Sequence, residues 1–465
     1  MIVLLAALLS GAMFYLSQGL DDLWLLAWLA PAPLLWLAYG KTQGWRLFLV
    51  SAAATLGGLI YVFQCYGALP PLLLLEIMVP QVVLFPMAIA FARKVQHHSG
   101  PLATLLAFPA CWTAIEFLIS LVSRHGSFGS LAYSQVSAPL LIQCASLFGL
   151  HGVTFLICLF ANTIAIALRA LRETLAAVAL GLAVCTSNVV FGLVRLDQPR
   201  SEMVGVAALV DESASSQVFR DDTLAAAVNV SEAYGHAIRK AAAEGAQLAV
   251  TPEVGILSKA QWRSSVLSPL LAASRETGIR IVAGVYEPVP PGNMAFSIGP
   301  GARIDTYAKR HLVPVLEAQL TPGRGSGWLG DGQAMEICKD MDFPRTIRRD
   351  AGKGVRLMAV PAADFVKDAW LHGRMAIMRG VEDGFAVVRA ANRGLLTVSD
   401  AQGRLIAAKT VAPAGMTMII SRVALGPGPT FYTRIGDAFE WMCVVIFLLV
   451  GARVGARRFF SASSK

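Results

Sequence analysis

The sequence predicts a chain in two parts, a polytopic α-helical membrane domain and a layered α/β domain outside it. Of the 465 residues, 55% are hydrophobic and only 15% are charged, far more apolar than a soluble chain of this length. The apolar residues gather into eight runs, each near the roughly 20 residues that a spanning helix needs. Between the seventh and eighth runs lies one long polar stretch, where short β-rich segments alternate with helical patterns. The expected division is therefore 1–198 (seven membrane helices), 199–432 (the α/β domain) and 433–465 (an eighth membrane helix and a basic tail).

The apolar runs fall at about 2–18, 23–39, 47–64, 71–92, 101–122, 139–166, 174–195 and 436–452. The first lacks a basic leader and a clear small-x-small cleavage site, so it reads as a retained anchor. Lys41 and Arg46 follow the second run, Arg93 and Lys94 the fourth, Arg169 and Arg172 the sixth, and Arg453, Arg457, Arg458 and Lys465 the eighth. Because bases near membrane segments stay on the cytoplasmic side, both chain ends are expected inside. The opposite loops hold Asp21, Asp22, an uncharged turn at Cys65 to Pro70 and the single base Arg124. The α/β stretch is then outside.

The net charge of +9 is largely these topology-setting bases, and nucleic acid is not an expected partner. Glu76 and Glu116 fall within apolar runs, where a carboxylate must lie near an interface or line a polar pocket. For Glu116 the nearby Ser120 and Arg124 favour the interface. His125, His151 and the pair His97-His98 have no metal-ligand spacing, so loop or interface roles are expected and no metal or other cofactor. Six of the seven cysteines (Cys65, Cys111, Cys144, Cys158, Cys185 and Cys443) accompany membrane runs. Cys338 is the lone thiol of the outer domain, which fits a reactive role better than a structural one.

In that domain, strands are expected at 203–210, 247–251, 280–286, 335–338, 356–361, 385–390, 395–399 and 416–421, and helices at about 221–244, 261–278 and 372–382. Strand ends are where α/β folds present reacting groups. Glu253, Lys309 and Cys338 each end a short apolar run. A thiol is weakly ionised at neutral pH. A carboxylate (Glu253) would take its proton, and a cation (Lys309) would stabilise the thiolate and a later oxyanion. Glu317 would orient the lysine or handle the proton of an attacking amine.

The runs Thr251-Pro252-Glu253, Lys309-Arg310-His311-Leu312-Val313-Pro314 and Ile337-Cys338 through Phe343-Pro344 resemble the three motifs of the nitrilase superfamily, which implies an α-β-β-α sandwich. The second run with Glu317, together with Pro33-Leu34-Leu35-Trp36-Leu37 and the stretch from Tyr133 to Val153, is similar to its membrane-embedded branch, the apolipoprotein N-acyltransferases. The resemblance implies eight spans in a bacterial inner membrane with the catalytic domain on the periplasmic side. It also implies a phospholipid acyl donor, a Cys338 thioester and a diacylglyceryl-modified lipoprotein as amine acceptor. A membrane-tethered amidase, an acyltransferase with another amine acceptor, and a silent binding protein remain the competing readings.

The chain departs from that branch where Cys338 is followed by Lys339 and Asp340 instead of Tyr and Glu. Lys339 is expected to add a cation beside the thiol or alter the acyl pocket, and Asp340 to keep a charge on a shorter arm. The Gln-Asn-Ile-Pro run is replaced by Leu209-Val210-Asp211-Glu212-Ser213, and the Asn-Asp-x-Trp segment by Ala362-Ala363-Asp364-Phe365. Trp328 and Trp370 are expected in loops near the site, meeting the acyl chain or the membrane interface. Arg379, Glu382 and Asn392 are expected to support structure only.

Overall fold

A computed structural model describes residues 1–169, 174–199, 202–217 and 220–462. Arg172 and Lys465 lie outside the described residues. The chain divides into two compact units, Met1–Asp197 with Ile435–Lys465, and Gln198–Arg434.

Apolar runs dominate the first unit and fold as helices, because a chain in lipid has no water to satisfy its backbone groups. Among the described residues six helices are long and apolar enough to cross a membrane: Gly44–Tyr66, Pro71–His98, Pro101–Val122, Ala145–Leu168, Leu175–Leu196 and Ala438–Ala456. The expected count of eight is thus not reached on length. The first run forms Ile2–Gln18, only 17 residues and about 26 Å at 1.5 Å per residue. The second breaks into a 3₁₀ turn, Trp24–Trp28, and a short helix, Ala32–Ala38, where Pro31 and Pro33 cannot continue the turn before them.

Glu116 is enclosed by the bundle and lines a polar pocket: Trp112 Nε1 (3.0 Å) and the Leu131 amide (3.0 Å) donate to its Oε1, while Ser130 (2.6 Å) and Thr154 (2.8 Å) donate to Oε2. Four donors replace the water that a carboxylate would otherwise hold. His151 is likewise buried in Ala145–Leu168, two residues beyond a kink at Gly149 (φ +67°), with Nδ1 3.4 Å from Glu440 of the last helix. Glu76 remains partly exposed and pairs with Arg124 and with His125, the latter at 3.5 Å.

The second unit is built on two sheets. Its described strands are β1 (Met203–Asp211), β2 (Leu248–Val250), β3 (Ile256–Leu257), β4 (Arg280–Pro288), β5 (Pro291–Ile298), β6 (Ile304–Ala308), β7 (Trp328–Gly330), β8 (Gln333–Met335), β9 (Leu357–Ala363), β10 (Ala386–Asn392), β11 (Leu395–Ser399), β12 (Leu405–Thr410) and β13 (Met416–Ala424). One sheet runs β13-β1-β2-β4-β5-β6 with β3 on β4, the other β12-β11-β10-β9-β8-β7. β1, β2 and β4 are mutually parallel, as are β8, β9 and β10.

Alternation along the strands makes the layers. In β1, Val206, Ala208 and Val210 face the core between the sheets, packing with Ala359, Val388 and Val398 of the other sheet. Ala207 and Leu209 face the helices Leu224–Ala243 and Arg263–Thr277. On the far side Met358, Val360 and Val387 meet Pro344–Ala351 and Ala369–Asp383. The result is an α-β-β-α sandwich, the fold that the resemblance implied. β3, β5, β6, β7 and β12 were not anticipated, and the expected strand at 335–338 ends at Met335.

Replacing Glu116 with Ala is expected to lower the stability of the first unit by at least about 2 kcal/mol, since four buried donors lose their acceptor. Glu116→Gln, which keeps one acceptor oxygen, should lose less. Thermal unfolding in detergent compares the two, and equal melting temperatures for all three proteins would refute this account.

Candidate active site

Glu253 follows β2 after a Thr-Pro step, and its amide donates to the Ala362 carbonyl of β9 (3.1 Å), tying one sheet to the other. The approach needs Gly284 of β4, because a Cβ there would collide with the Pro252 carbonyl. Lys309 follows β6, held by its amide to the Asn293 carbonyl (2.9 Å). Glu317 sits in the following loop and accepts from the Val313 amide (2.6 Å). Cys338 opens a one-turn 3₁₀ segment, Cys338–Asp342, directly after β8. Its φ of +41° is strained for a residue with a Cβ, a cost that persists where surroundings over-determine the backbone.

The structure brings the expected base, cation and second carboxylate into one cluster. Lys309 Nζ donates to Glu253 Oε1 at 2.6 Å and to Glu317 Oε2 at 2.8 Å, with Lys309 only 1% exposed and Glu253 4%. Cys338 is close enough to exchange electrostatic effects with both Glu253 and Lys309, and its Sγ donates to the Ala363 carbonyl at 3.4 Å. It retains partial exposure.

Burial, and then the Glu253 carboxylate, push the Cys338 thiol well above its usual range, against the pull of Lys309 and Arg389. Burial also raises Glu253; Lys309 opposes that shift and Glu317 adds to it. A carboxylate with raised proton affinity is a better acceptor for a thiol proton. Burial alone would make Lys309 neutral, but Glu253, Cys338 and Glu317 more than offset it and hold the ammonium charged.

Asp340 proves to be a clamp. It is fully buried and accepts from Tyr307 Oη (2.7 Å), His311 Nδ1 (2.9 Å) and the amides of His311 (2.8 Å), Arg310 (3.2 Å) and Ile337 (3.3 Å). One short carboxylate thus ties the cysteine turn to the segment carrying Lys309. Beneath it, Arg310 pairs with Glu336 and, at 2.8 Å, with Asp350. Lys339 does not stand as a free cation beside the thiol: its Nζ is held by Asp342 (3.2 Å) and lies over the Phe343 ring. The cations that act on the sulfur are Lys309 and Arg389.

Neither tryptophan lies in a loop. Trp328 begins β7 and packs against the cluster that includes Met341 and Ile347. Trp370 is the second residue of Ala369–Asp383, which begins earlier than expected. Arg379 and Glu382 pair at 2.9 Å, fully buried within that helix, and the Asn392 carbonyl accepts from the Asp364 amide (2.9 Å).

Two further features escaped the sequence reading. Asn293 on β5 donates from Nδ2 to both Glu253 (2.6 Å) and Glu317 (2.7 Å). Arg389 on β10 forms a two-pronged pair with Asp364 just beyond the Ala363 carbonyl. Asp364 stands inside a segment already singled out as divergent, but no local signal links it to Arg389. Asn293 follows Pro290-Pro291-Gly292, which reads as a turn and hides the strand.

The profile of the apolipoprotein N-acyltransferase N-terminal domain matches residues 10–163, and that of carbon-nitrogen hydrolase matches residues 219–422. In both of its parts the chain is similar to the apolipoprotein N-acyltransferases. It is 28% identical to an apolipoprotein N-acyltransferase of Geobacter metallireducens over 98% of this chain and 95% of that one. Against the protein of that name from Methylococcus capsulatus the figures are 27%, 84% and 82%. Among solved structures, an amidase from Nesterenkonia sp. AN1 in complex with acrylamide is 21% identical, covering 48% of this chain and 92% of that one with a TM-score of 0.40.

Asp340→Ala would leave the His311 ring nitrogen and three amides without their acceptor, at a cost of about 3 kcal/mol or more. The expected result is a lower unfolding temperature together with slower alkylation of Cys338 by iodoacetamide, read by peptide mass mapping. Unchanged alkylation in a folded variant would show that the clamp does not set the cysteine turn.

Proposed function

We propose that this protein transfers a fatty acyl chain from a membrane phospholipid, through a thioester on Cys338, to the α-amino group of the diacylglyceryl-modified N-terminal cysteine of a lipoprotein. The observation that carries the reading is the Glu253–Lys309–Glu317 cluster beside Cys338, whose sulfur meets the Ala363 carbonyl next to the Ala362 carbonyl that holds the Glu253 amide, in a chain whose other unit is a bundle of membrane-length helices.

In the first half-reaction Glu253 takes the thiol proton and the sulfur attacks the ester carbonyl. Lys309 stabilises the oxyanion, and collapse expels the lysophospholipid alkoxide, which recovers the proton from Glu253. In the second the amine attacks the thioester, Glu253 accepts the amine proton, and that proton returns to the departing sulfur. Glu317 keeps Lys309 charged and in place throughout. Confining donor and acceptor to one bilayer raises their effective concentration at the site.

The basic residues Lys41, Arg46, Arg93, Lys94, Arg169 and Arg453 support a topology with both termini in the cytoplasm and the catalytic unit on the periplasmic face of the inner membrane. In that topology the two shorter apolar elements, Ile2–Gln18 and Trp24–Ala38, also cross.

Incubation of the purified protein with phospholipid is expected to add one acyl chain to its mass, and Cys338→Ala should add none. Glu253→Gln should slow acylation by roughly 10²- to 10⁴-fold, the usual contribution of a positioned base. With a diacylated lipopeptide present, the acyl chain should move to the peptide. Free fatty acid released at the same rate without any peptide would favour the hydrolase reading.

A further inference from the structure

We infer that Asn293 is a positioning residue for the reaction: its side-chain amide bridges the two carboxylates and keeps Glu253 ionised and aimed, so that it can accept the thiol proton. The inference rests on the proposed role of Glu253 as base.

The charges in this cluster do not balance with the lysine alone. Lys309 brings one positive charge to two carboxylates, the buried Glu253 and the partly buried Glu317, with little solvent to screen them. Two carboxylates facing one ammonium repel each other, and one of them tends to take up a proton. Asn293 Nδ2 stands between them, donating to Glu253 Oε1 at 2.6 Å and to Glu317 Oε1 at 2.7 Å. The side chain is 1% exposed, and its Oδ1 has no partner. A buried amide with an unused acceptor is a cost, so both amide hydrogens at work on the carboxylates are what the position gains. The Asn293 carbonyl also accepts the Lys309 amide at 2.9 Å, so one residue sets the lysine backbone and both of its counter-ions.

The charged and titratable groups that bear on Glu253 and its thiol partner are Lys309 and Glu317 from the segment after β6, Cys338 from the turn after β8, and Arg389 paired with Asp364 from β10 and the end of β9. None of the others donates to both glutamates except Lys309. Losing a hydrogen bond to a charged oxygen should raise the proton affinity of Glu253, so that the carboxylate is protonated at a higher pH.

The test uses full-length protein in detergent and follows alkylation of Cys338 by iodoacetamide between pH 5 and 9, with acyl-enzyme formation from phospholipid as a parallel readout. Asn293→Leu removes the donor at similar volume. Asn293→Asp is nearly isosteric and replaces the donor with another acid. Both are expected to move the acidic limb of the rate profile upward by about one pH unit, a roughly tenfold loss at fixed pH on that side, with Asn293→Asp moving it further. Substrate KM for acylation should stay within about twofold of wild type, as for a group that acts through another. Profiles of unchanged shape, or a loss that is equal at every pH and tracks a lowered melting temperature, would overturn the inference in favour of plain structural support. If wild-type protein alkylates with an acidic limb but never forms an acyl-enzyme, the proposed transfer fails while the Asn293 assignment stands on the alkylation profile.

Discussion

A single buried ammonium, shared between two carboxylates, is the constraint around which the catalytic unit is organised. Lys309 is almost wholly removed from solvent, and it stays charged because Glu253 and Glu317 sit within 2.8 Å. Removing the lysine would leave two facing carboxylates without a counter-ion in a dry place, which is more costly than never having buried them. The surroundings follow from this. β5 must lie beside β6 so that Asn293 reaches both acids, and the two sheets must face each other so that the cysteine turn after β8 comes within range.

Strain and restraint occur together near that cluster. Cys338 adopts positive φ, as do Val254 next to Glu253, Val315 close to Glu317 and Val366 close to Asp364. Branched side chains do not take that conformation without opposition from the rest of the fold. The opposition here is identifiable: Asp340 collects five donors from the cysteine and lysine segments, and the Glu253 amide is pinned to β9. The substitution of Lys at 339 then has a local explanation. Its ammonium is absorbed by Asp342 and the Phe343 ring instead of altering the charge at the sulfur.

The membrane unit uses the same device in a different solvent. Glu116 is enclosed by four donors from three parts of the unit, the helix Pro101–Val122, the segment at Ser130 and Leu131, and Thr154 of Ala145–Leu168. A carboxylate so completely satisfied fixes how those segments meet. His151 and Glu440 join the last helix to the same bundle. The chain neighbours Ser120 and Arg124 give no sign of this enclosure. The donors that decide its place lie 14 to 38 residues away, apart from Trp112.

Local pattern was sufficient for most of the apolar runs, for the alternation that makes an α/β sandwich, and for singling out Glu253, Lys309 and Glu317, which the fold gathers into one cluster, because burial periodicity and residue chemistry both leave their mark along the chain itself. It failed at short or broken elements: prolines split the second apolar run, and Pro-Pro-Gly before Asn293 concealed β5. The partnerships were decided only in three dimensions. Asn293 meets Glu253 across 40 residues, and Arg389 meets Asp364 across 25. Which donor reaches which carboxylate depends on strand order and register between sheets, and these are set by the packing of whole layers, to which no single segment holds the key.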